Sequence, residues 1–141
     1  MFTNFGKKTE KDATIRSAFE KPLEIVSPEI PFLNLPTLSD LGLTPKIIDA
    51  RATIQFTRGE TQALARLQYY FYETQKISKY KETRNGLVGA DYSSKFSAWL
   101  ALGCISPRLI HAELKKYEAQ FGANESTYWL VFELLWRDFF R

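Results

Sequence analysis

Prolines divide this sequence of 141 residues into two unlike parts. Five of the six prolines lie within residues 1–49, in steps such as Lys21-Pro22. Each proline removes a backbone hydrogen-bond donor and pushes the residue before it away from helical geometry. We therefore expect residues 1–49 to form an extended connector, with one short helix around Ser39–Leu43.

The connector also carries apolar side chains, so we expect it to lie on a folded body rather than to float free. These residues are Ile25, Ile30, Phe32, Leu33 and Leu35.

From Thr57 onward the pattern becomes helical. Thr57 and Glu60 have the spacing of a capping box, and apolar residues then recur every three or four positions to about Lys79. Asn85-Gly86 and Gly89 place residues 80–91 in a loop.

Three more helices are predicted. One begins near Ser93 and ends at Gly103, one begins at Ser106-Pro107 with an inner stripe of Ile110, Leu114 and Tyr117, and the last begins around Ser126 and runs to the end. No segment alternates as a strand does, so the predicted fold class is mainly α.

Composition narrows the function. Hydrophobic residues make up 45% and charged residues 25%, which is typical of a globular domain. One cysteine and one histidine leave too few ligands for a disulfide framework or an ordinary metal site. No apolar run approaches the ~20 residues of a membrane helix, and the charged N-terminal stretch does not resemble a secretion signal. The net charge of +3 permits contact with a polyanion without requiring it.

The densest polar segment runs from Tyr80 to Ser97. A loop with glycines leads into a helix whose first turn offers Ser93, Ser94, Lys95 and Ser97, and free amides at such a terminus favour an anion. Three hydroxyls and an ammonium suit a diphosphate. The alternative is that a serine only caps the helix.

A second group lies on the terminal helix. Its aromatic residues belong either to the core or to a surface that stacks on a nucleobase, and its charged residues form either an intrahelical pair or a polar contact to that base. The group comprises Trp129, Glu133, Trp136, Arg137 and Phe140. A basic run that ends at Arg84 is either a phosphate-contacting edge or a solvated helix end.

These motifs together resemble the DNA photolyase/cryptochrome family, and most closely its DASH-type cryptochromes. Four segments carry the resemblance in the family's order, namely Tyr80-Lys-Glu-Thr-Arg-Asn-Gly-Leu, Tyr92-Ser-Ser-Lys-Phe-Ser, Trp99-Leu-Ala-Leu-Gly-Cys-Ile-Ser-Pro-Arg and Glu133-Leu-Leu-Trp-Arg-Asp-Phe-Phe.

The resemblance implies that the chain covers only the middle of a family member, as a fragment or truncated product. Residues 1–49 would be the end of the antenna domain and the interdomain connector. Residues 50–141 would be the N-terminal part of a helical FAD-binding domain.

The resemblance also implies the roles of individual residues. The implied FAD contacts are Tyr80, Ser93, Ser94, Lys95, Phe96, Ser97 and Arg137, although Arg137 could instead face DNA. The implied contacts to DNA or to the lesion are Arg84, Glu133 and Trp136. Ser93 and Phe140 replace the family's frequent Thr and Tyr. No catalytic residue and no metal ligand is assigned.

The implied activity is blue-light-dependent repair of cyclobutane pyrimidine dimers by FAD, in DNA that is preferentially single-stranded. A photoreceptor without repair, or an inactive remnant, are the alternatives. The family also implies a folate-type antenna chromophore, whose domain lies outside this sequence. No membrane or metal partner is expected. The location would be the cytoplasm in a bacterium, or an organelle or the nucleus in a eukaryote.

For the isolated chain we expect no stoichiometric FAD and poor solubility. The family's ring-binding motifs lie beyond Arg141, and the terminal helix should expose Trp129, Trp136, Phe139 and Phe140.

Overall fold

The computed structural model describes residues 2–31, 33–44 and 47–140, and its backbone is mainly helical, which confirms the predicted fold class. No strand occurs within these ranges. The α-helices of the described chain are α1 (Phe2–Asp12), α2 (Glu60–Gln68), α3 (Tyr80–Thr83), α4 (Ser97–Ala101), α5 (Pro107–Phe121) and α6 (Glu125–Phe139). A π-helical turn (Tyr69–Glu73) continues α2, and a 3₁₀ turn (Lys76–Lys79) leads into α3.

The chain divides into two compact units. Residues 2–18 together with 56–140 form one unit, which we call the helical body, and residues 19–55 form the other, which we call the connector unit. The assignment of these parts to an antenna domain and a flavin domain stays a prediction.

The core of the helical body takes buried side chains from α2 and its π turn, from α3, α4, α5 and α6, and from the segments between them. Tyr70 and Phe71 are fully buried, and both fit inside because the wider π turn directs consecutive side chains inward. The predicted inner stripe of α5 is confirmed, since Ile110, Leu114 and Tyr117 are all buried.

The predicted capping box at the start of α2 is wrong. The helix begins at Glu60 after Gly59, whose φ of 100° few other residues adopt, and no side chain caps it. The Thr57 carbonyl instead accepts the indole N–H of Trp99 at 2.9 Å, so this stretch is held by a tertiary contact.

The helix predicted to reach Lys79 ends earlier, and one turn of helix appears where a loop was expected. Gln75 adopts a φ of 50°, which breaks the helix after the π turn. The short helix α3 then forms because α6 holds its first turn: the Lys81 amide donates to Ser126 Oγ, which in turn donates to the Glu82 carboxylate.

The ends of the later helices follow local signals. Gly103 has the predicted left-handed conformation, with φ 69°. Ser106 caps α5, and its hydroxyl accepts from the Arg108 amide at 3.2 Å. Asn124 and Thr127 form a capping box at the start of α6, one residue before the predicted position.

Helix α1 lies where extended backbone was predicted, in the part that the resemblance assigned to the end of the antenna domain and the connector, and it packs against α6. The Phe2 ring stacks on Trp136 with centroids 3.6 Å apart, and the Tyr128 hydroxyl donates to Glu10 at 2.6 Å. Trp136 and Phe139 are therefore half-buried rather than exposed as expected, and so is Trp129; Phe140 remains 76% exposed.

In the connector unit the prediction of a short helix at Ser39–Leu43 is wrong. The backbone there forms a turn, which is closed by hydrogen bonds from the Leu41 and Leu43 amides to the Leu38 carbonyl. Within this unit Ile25, Ile30, Leu33 and Leu35 are exposed, and the expectation that the connector lies on a folded body stays a prediction. Phe32 lies outside the described residues.

None of the helices in the described ranges combines the length and the hydropathy that a membrane span requires.

Candidate functional site

Arg66, on α2, is the centre of a polar cluster in the helical body. Its Nη2 donates to the carbonyls of Ala90 (2.9 Å) and Ser93 (3.1 Å), and its Nε donates to the carbonyl of Ser94 (3.0 Å). Its Nη1 lies 3.1 Å from an Asp91 carboxylate oxygen. The side chain is only 9% exposed, so one buried cation holds the whole stretch from residue 90 to 94.

Two tyrosines complete this cluster. The Tyr69 hydroxyl donates to the second oxygen of Asp91 at 2.9 Å, so that both carboxylate oxygens have a partner. This hydrogen bond raises the pKa of Tyr69. The guanidinium also lies over the rings of Tyr69 and Tyr70, at 5.3 and 5.2 Å from their centroids. Charge, hydrogen bonds and ring contacts therefore all fix Arg66 in one position.

The serines predicted to open a helix precede it instead. Helix α4 begins only at Ser97 and has five residues, so Ser93 and Ser94 stand in the loop and the expected site at a helix terminus is not formed. Ser94 is buried, Ser97 is exposed, and Lys95 adopts a φ of 63°. The Lys95 ammonium lies 3.5 Å from the centroid of the Tyr92 ring.

Behind this loop, aromatic side chains form a wall. Phe96 is buried and its ring lies 6.5 Å from that of Tyr70. Burial raises the pKa of Tyr70 above its usual range, and the neighbouring Tyr80 adds to the rise. The Tyr70 hydroxyl is buried, and no atom of the described residues lies in hydrogen-bonding geometry with it. The nearby Thr83 side chain lowers the pKa of Tyr70 slightly and so opposes the effect of burial.

The predicted DNA contacts Arg84 and Glu133 meet each other. Their side chains form an ion pair at 2.6 Å and are 28% and 32% exposed. The Arg84 guanidinium also lies 5.2 Å from the Trp129 ring centroid. Burial raises the pKa of Tyr80 to about 12, with Glu133 adding to the rise and Arg84 opposing it, so Tyr80 lies beside this pair. The indole N–H of Trp129 is buried without a partner.

Trp136 and Arg137 have different surroundings. The Trp136 ring lies between Phe2 and Phe140, with centroids 3.6 and 5.7 Å away. Arg137 does not pair with Glu133, as the intrahelical alternative would have it, but contacts Asp138 at 3.4 Å. It lines a cavity of about 410 Å³ together with Arg16, Arg108 and His111.

The residues at the loop fit a diphosphate and do not fit a metal ion. Hydroxyls, amides and one ammonium are donors, which an anionic oxygen accepts. Within the described residues, no group of three or more His, Cys, Asp or Glu side chains is placed to hold a metal ion.

Comparison with known proteins agrees with the resemblance seen in the motifs. No family model matches the chain. The chain is 51% identical to Cryptochrome DASH of Gloeobacter violaceus and 54% identical to that of Synechocystis sp., with all of this chain aligned to 28% and 29% of theirs. The crystal structure of a Synechocystis sp. cryptochrome matches with a TM-score of 0.90 at 51% identity, over 99% of this chain and 29% of that one.

The chain corresponds over its full length to a segment of the DASH cryptochromes. It spans a little over a quarter of the length of these relatives. The sequence analysis did not identify Arg66, Tyr69 and Asp91 as residues of the candidate site. Asp91 lies 25 positions after Arg66, and no local spacing links a cation to a loop at that distance.

Proposed function

We propose that this chain forms part of a light-dependent DNA repair flavoprotein that acts on cyclobutane pyrimidine dimers in single-stranded DNA. The observation that carries the proposal is the cluster of Tyr80, Arg84 and Glu133. A residue assigned to the flavin by resemblance adjoins two residues assigned to DNA by resemblance, so cofactor and lesion would meet at one place.

In this proposal the loop from Ser93 to Ser97 binds the FAD diphosphate. The serine hydroxyls and the Lys95 ammonium supply charge-assisted hydrogen bonds to phosphate oxygens. Phe96 does not contact phosphate but anchors the loop, since its ring is buried against Tyr70 and Phe71. Tyr80 contributes a wall beside the flavin.

Glu133 and Arg84 are proposed to act together on DNA. A carboxylate accepts hydrogen bonds from the N–H groups of a flipped pyrimidine, whereas a guanidinium binds the backbone phosphate. The two side chains are joined through Arg84 Nη1 and Glu133 Oε1. The other guanidinium N–H groups can therefore bind phosphate, and the second carboxylate oxygen can accept from the base, while the pair stays intact. A contact from Trp136 requires Phe2 to leave its ring.

Reduced FAD, when bound, would supply the single electron that opens the dimer under blue light. The chain itself orients the lesion, holds the cofactor and excludes water with aromatic side chains. Extruding the dimer costs little from a single strand, because no complementary base has to be unpaired.

The proposal can be tested in a chimera in which these 141 residues replace the matching segment of the Synechocystis cryptochrome. A single-stranded oligonucleotide with one thymine dimer is illuminated with blue light, and restored thymines are counted by chromatography. We expect repair in light only. Glu133→Ala should lower lesion affinity about tenfold or more, because it removes a charged hydrogen-bond acceptor, and should leave bound flavin unchanged.

The matched control is Glu125→Ala, since Glu125 lies on the same helix and is exposed. This variant should repair as the parent chimera does. A chimera that binds flavin and responds to light without restoring thymines would contradict repair and favour the photoreceptor alternative. Loss of flavin in Glu133→Ala would place Glu133 in the cofactor site instead.

A further inference from the structure

The proposed diphosphate loop has no long helix to orient its amides, because α4 begins at Ser97 and has five residues. The direction of the backbone donors in residues 93–97 must therefore be fixed in another way. Arg66 contacts the carbonyls of Ser93 and Ser94 in this stretch, and the Ala90 carbonyl and the Asp91 carboxylate just before it.

We propose that Arg66 is a positioning residue for the diphosphate: by holding the carbonyls of the loop on its own side, it turns the amide N–H groups that follow them toward the ligand. This inference rests on the flavin site proposed above.

The geometry of the peptide bond supplies the first step. In a planar trans peptide the carbonyl and the following N–H point in opposite directions. The Ser93 and Ser94 carbonyls face the guanidinium, at 3.1 and 3.0 Å. The N–H groups of Ser94 and Lys95 must therefore point away from Arg66.

The conformation of Lys95 supplies the second step. Its φ of 63° is followed by the right-handed helical conformation of Phe96, at φ −70° and ψ −16°. Successive residues of opposite hand make their N–H groups converge, and this arrangement binds anions. Within the described part of the chain, the amides of Ser94, Lys95 and Phe96 donate no hydrogen bond.

The third step explains why the residue is an arginine. A guanidinium has five donors in a fixed plane, and here it reaches three carbonyls and the Asp91 carboxylate at once. A lysine ammonium is a compact charge with a different donor geometry, so it cannot make the same set of contacts. Arg66→Lys therefore keeps the positive charge but no longer holds the loop carbonyls in their fixed orientation.

The test compares Arg66→Lys with Arg58→Lys in the chimera described above. Arg58 is exposed and lies just before α2, so it controls for the loss of a guanidinium. Dissociation constants are measured for FAD, for inorganic pyrophosphate and for riboflavin, which lacks the diphosphate. Amide hydrogen exchange of residues 90–97 is measured without ligand.

We expect Arg66→Lys to weaken FAD and pyrophosphate about tenfold or more, the effect of about one charge-assisted hydrogen bond. Riboflavin affinity should stay unchanged, the loop should exchange faster, and Arg58→Lys should match the parent chimera. Equal losses for FAD and riboflavin would show a general structural role, and unchanged FAD affinity would show no role; either result overturns the inference. If Arg66→Lys does not fold, Asp91→Asn is measured in the same way, and a selective loss of FAD and pyrophosphate is expected.

A direct variant separates this inference from the proposed function. Lys95→Ala combined with Ser97→Ala should also weaken pyrophosphate. If the double variant binds pyrophosphate and FAD as the parent chimera does, the Lys95 and Ser97 side chains do not hold the diphosphate, and that part of the proposed flavin site fails; the role of the backbone amides is then decided by Arg66→Lys alone. If the double variant loses both ligands while Arg66→Lys keeps them, only the role of Arg66 fails.

Discussion

Two long stretches of the described chain lack regular secondary structure, and they differ in the contacts that hold them. The loop from residue 84 to 96 lies in the helical body, with Ser94 and Phe96 buried and with partners on α2 and its π turn. Among the described residues between 19 and 55, hydrogen bonds reach at most five positions along the chain, and the apolar side chains are largely exposed. Irregular backbone is therefore fixed in the first case by contacts between distant residues.

Each stretch contains an aspartate that pairs with an arginine: Asp91 in the loop pairs with Arg66 on α2, and Asp49 pairs with Arg51. Arg66 and Asp91 are 25 positions apart, with side chains 9% and 30% exposed, whereas Arg51 and Asp49 are two positions apart and 90% and 53% exposed. A buried pair that loses one partner leaves an uncompensated charge, whereas water replaces the lost partner of an exposed pair. The same chemistry should therefore have unequal effects on stability.

The largest effect is expected from a substitution that breaks the buried ion pair of Arg66 and Asp91. Arg66→Met leaves three carbonyls without their donor and Asp91 with only the Tyr69 hydroxyl, and it should lower the free energy of unfolding by about 3 kcal/mol. Arg51→Met should give no measurable change. Urea titrations followed by tryptophan fluorescence compare the two variants with the parent chain. Equal effects from both substitutions would mean that the Arg66 cluster does not hold the loop.

A smaller effect is expected from alkaline pH, and it tests the aromatic wall beside the loop. Burial raises the pKa of Tyr80 to about 12 from 10.0. The unfolded chain therefore loses its phenolic proton first. The stability that Tyr80 contributes is complete below about pH 10 and declines as the pH rises toward 12, by of the order of 2 kcal/mol.

Urea titrations at several pH values between 9 and 12 measure this decline. Tyr80→Phe has no phenolic proton at this position and should make the decline less steep, while Tyr70, whose pKa burial also raises, continues to contribute. A variant profile as steep as that of the parent chain would assign the alkaline loss to other groups.

The smallest expected effect concerns the packing of the loop on itself. A Cβ at Gly86 would lie 3.0 Å from the Tyr92 Cβ and 3.1 Å from the Thr83 carbonyl oxygen. Gly86→Ala should therefore cost about 1 kcal/mol, as modest overpacking does, and should shift Tyr92. The same urea titration measures the cost. An unchanged free energy of unfolding would show that the loop backbone shifts at Gly86 at little energetic cost. We expect such small costs in the stretch between residues 19 and 55.

Local signals predicted much of the helical body. The fold class, the buried stripe of α5, the Ser106 cap and the left-handed Gly103 all follow from residues within a few positions of one another. The motifs also identified the family, because residue types at fixed short spacings are properties of the sequence alone.

The errors arose where a distant partner decides the local structure. Helix α3 forms because Ser126 bonds its first turn, and Trp136 is half-buried because α1 supplies Phe2. Ser93 and Ser94 of the proposed diphosphate site stand before α4, and only Ser97 lies within it.

The sequence by itself determined which residues carry donors, charges and rings, and where helices can begin and end. The tertiary structure decided which of them meet: Arg66 with the loop at residues 90–94, and Arg84 with Glu133 rather than Glu133 with Arg137. The physical reason is range. A cap or a turn is closed by neighbours in the chain, whereas an ion pair between residues 49 positions apart exists only after the core has packed.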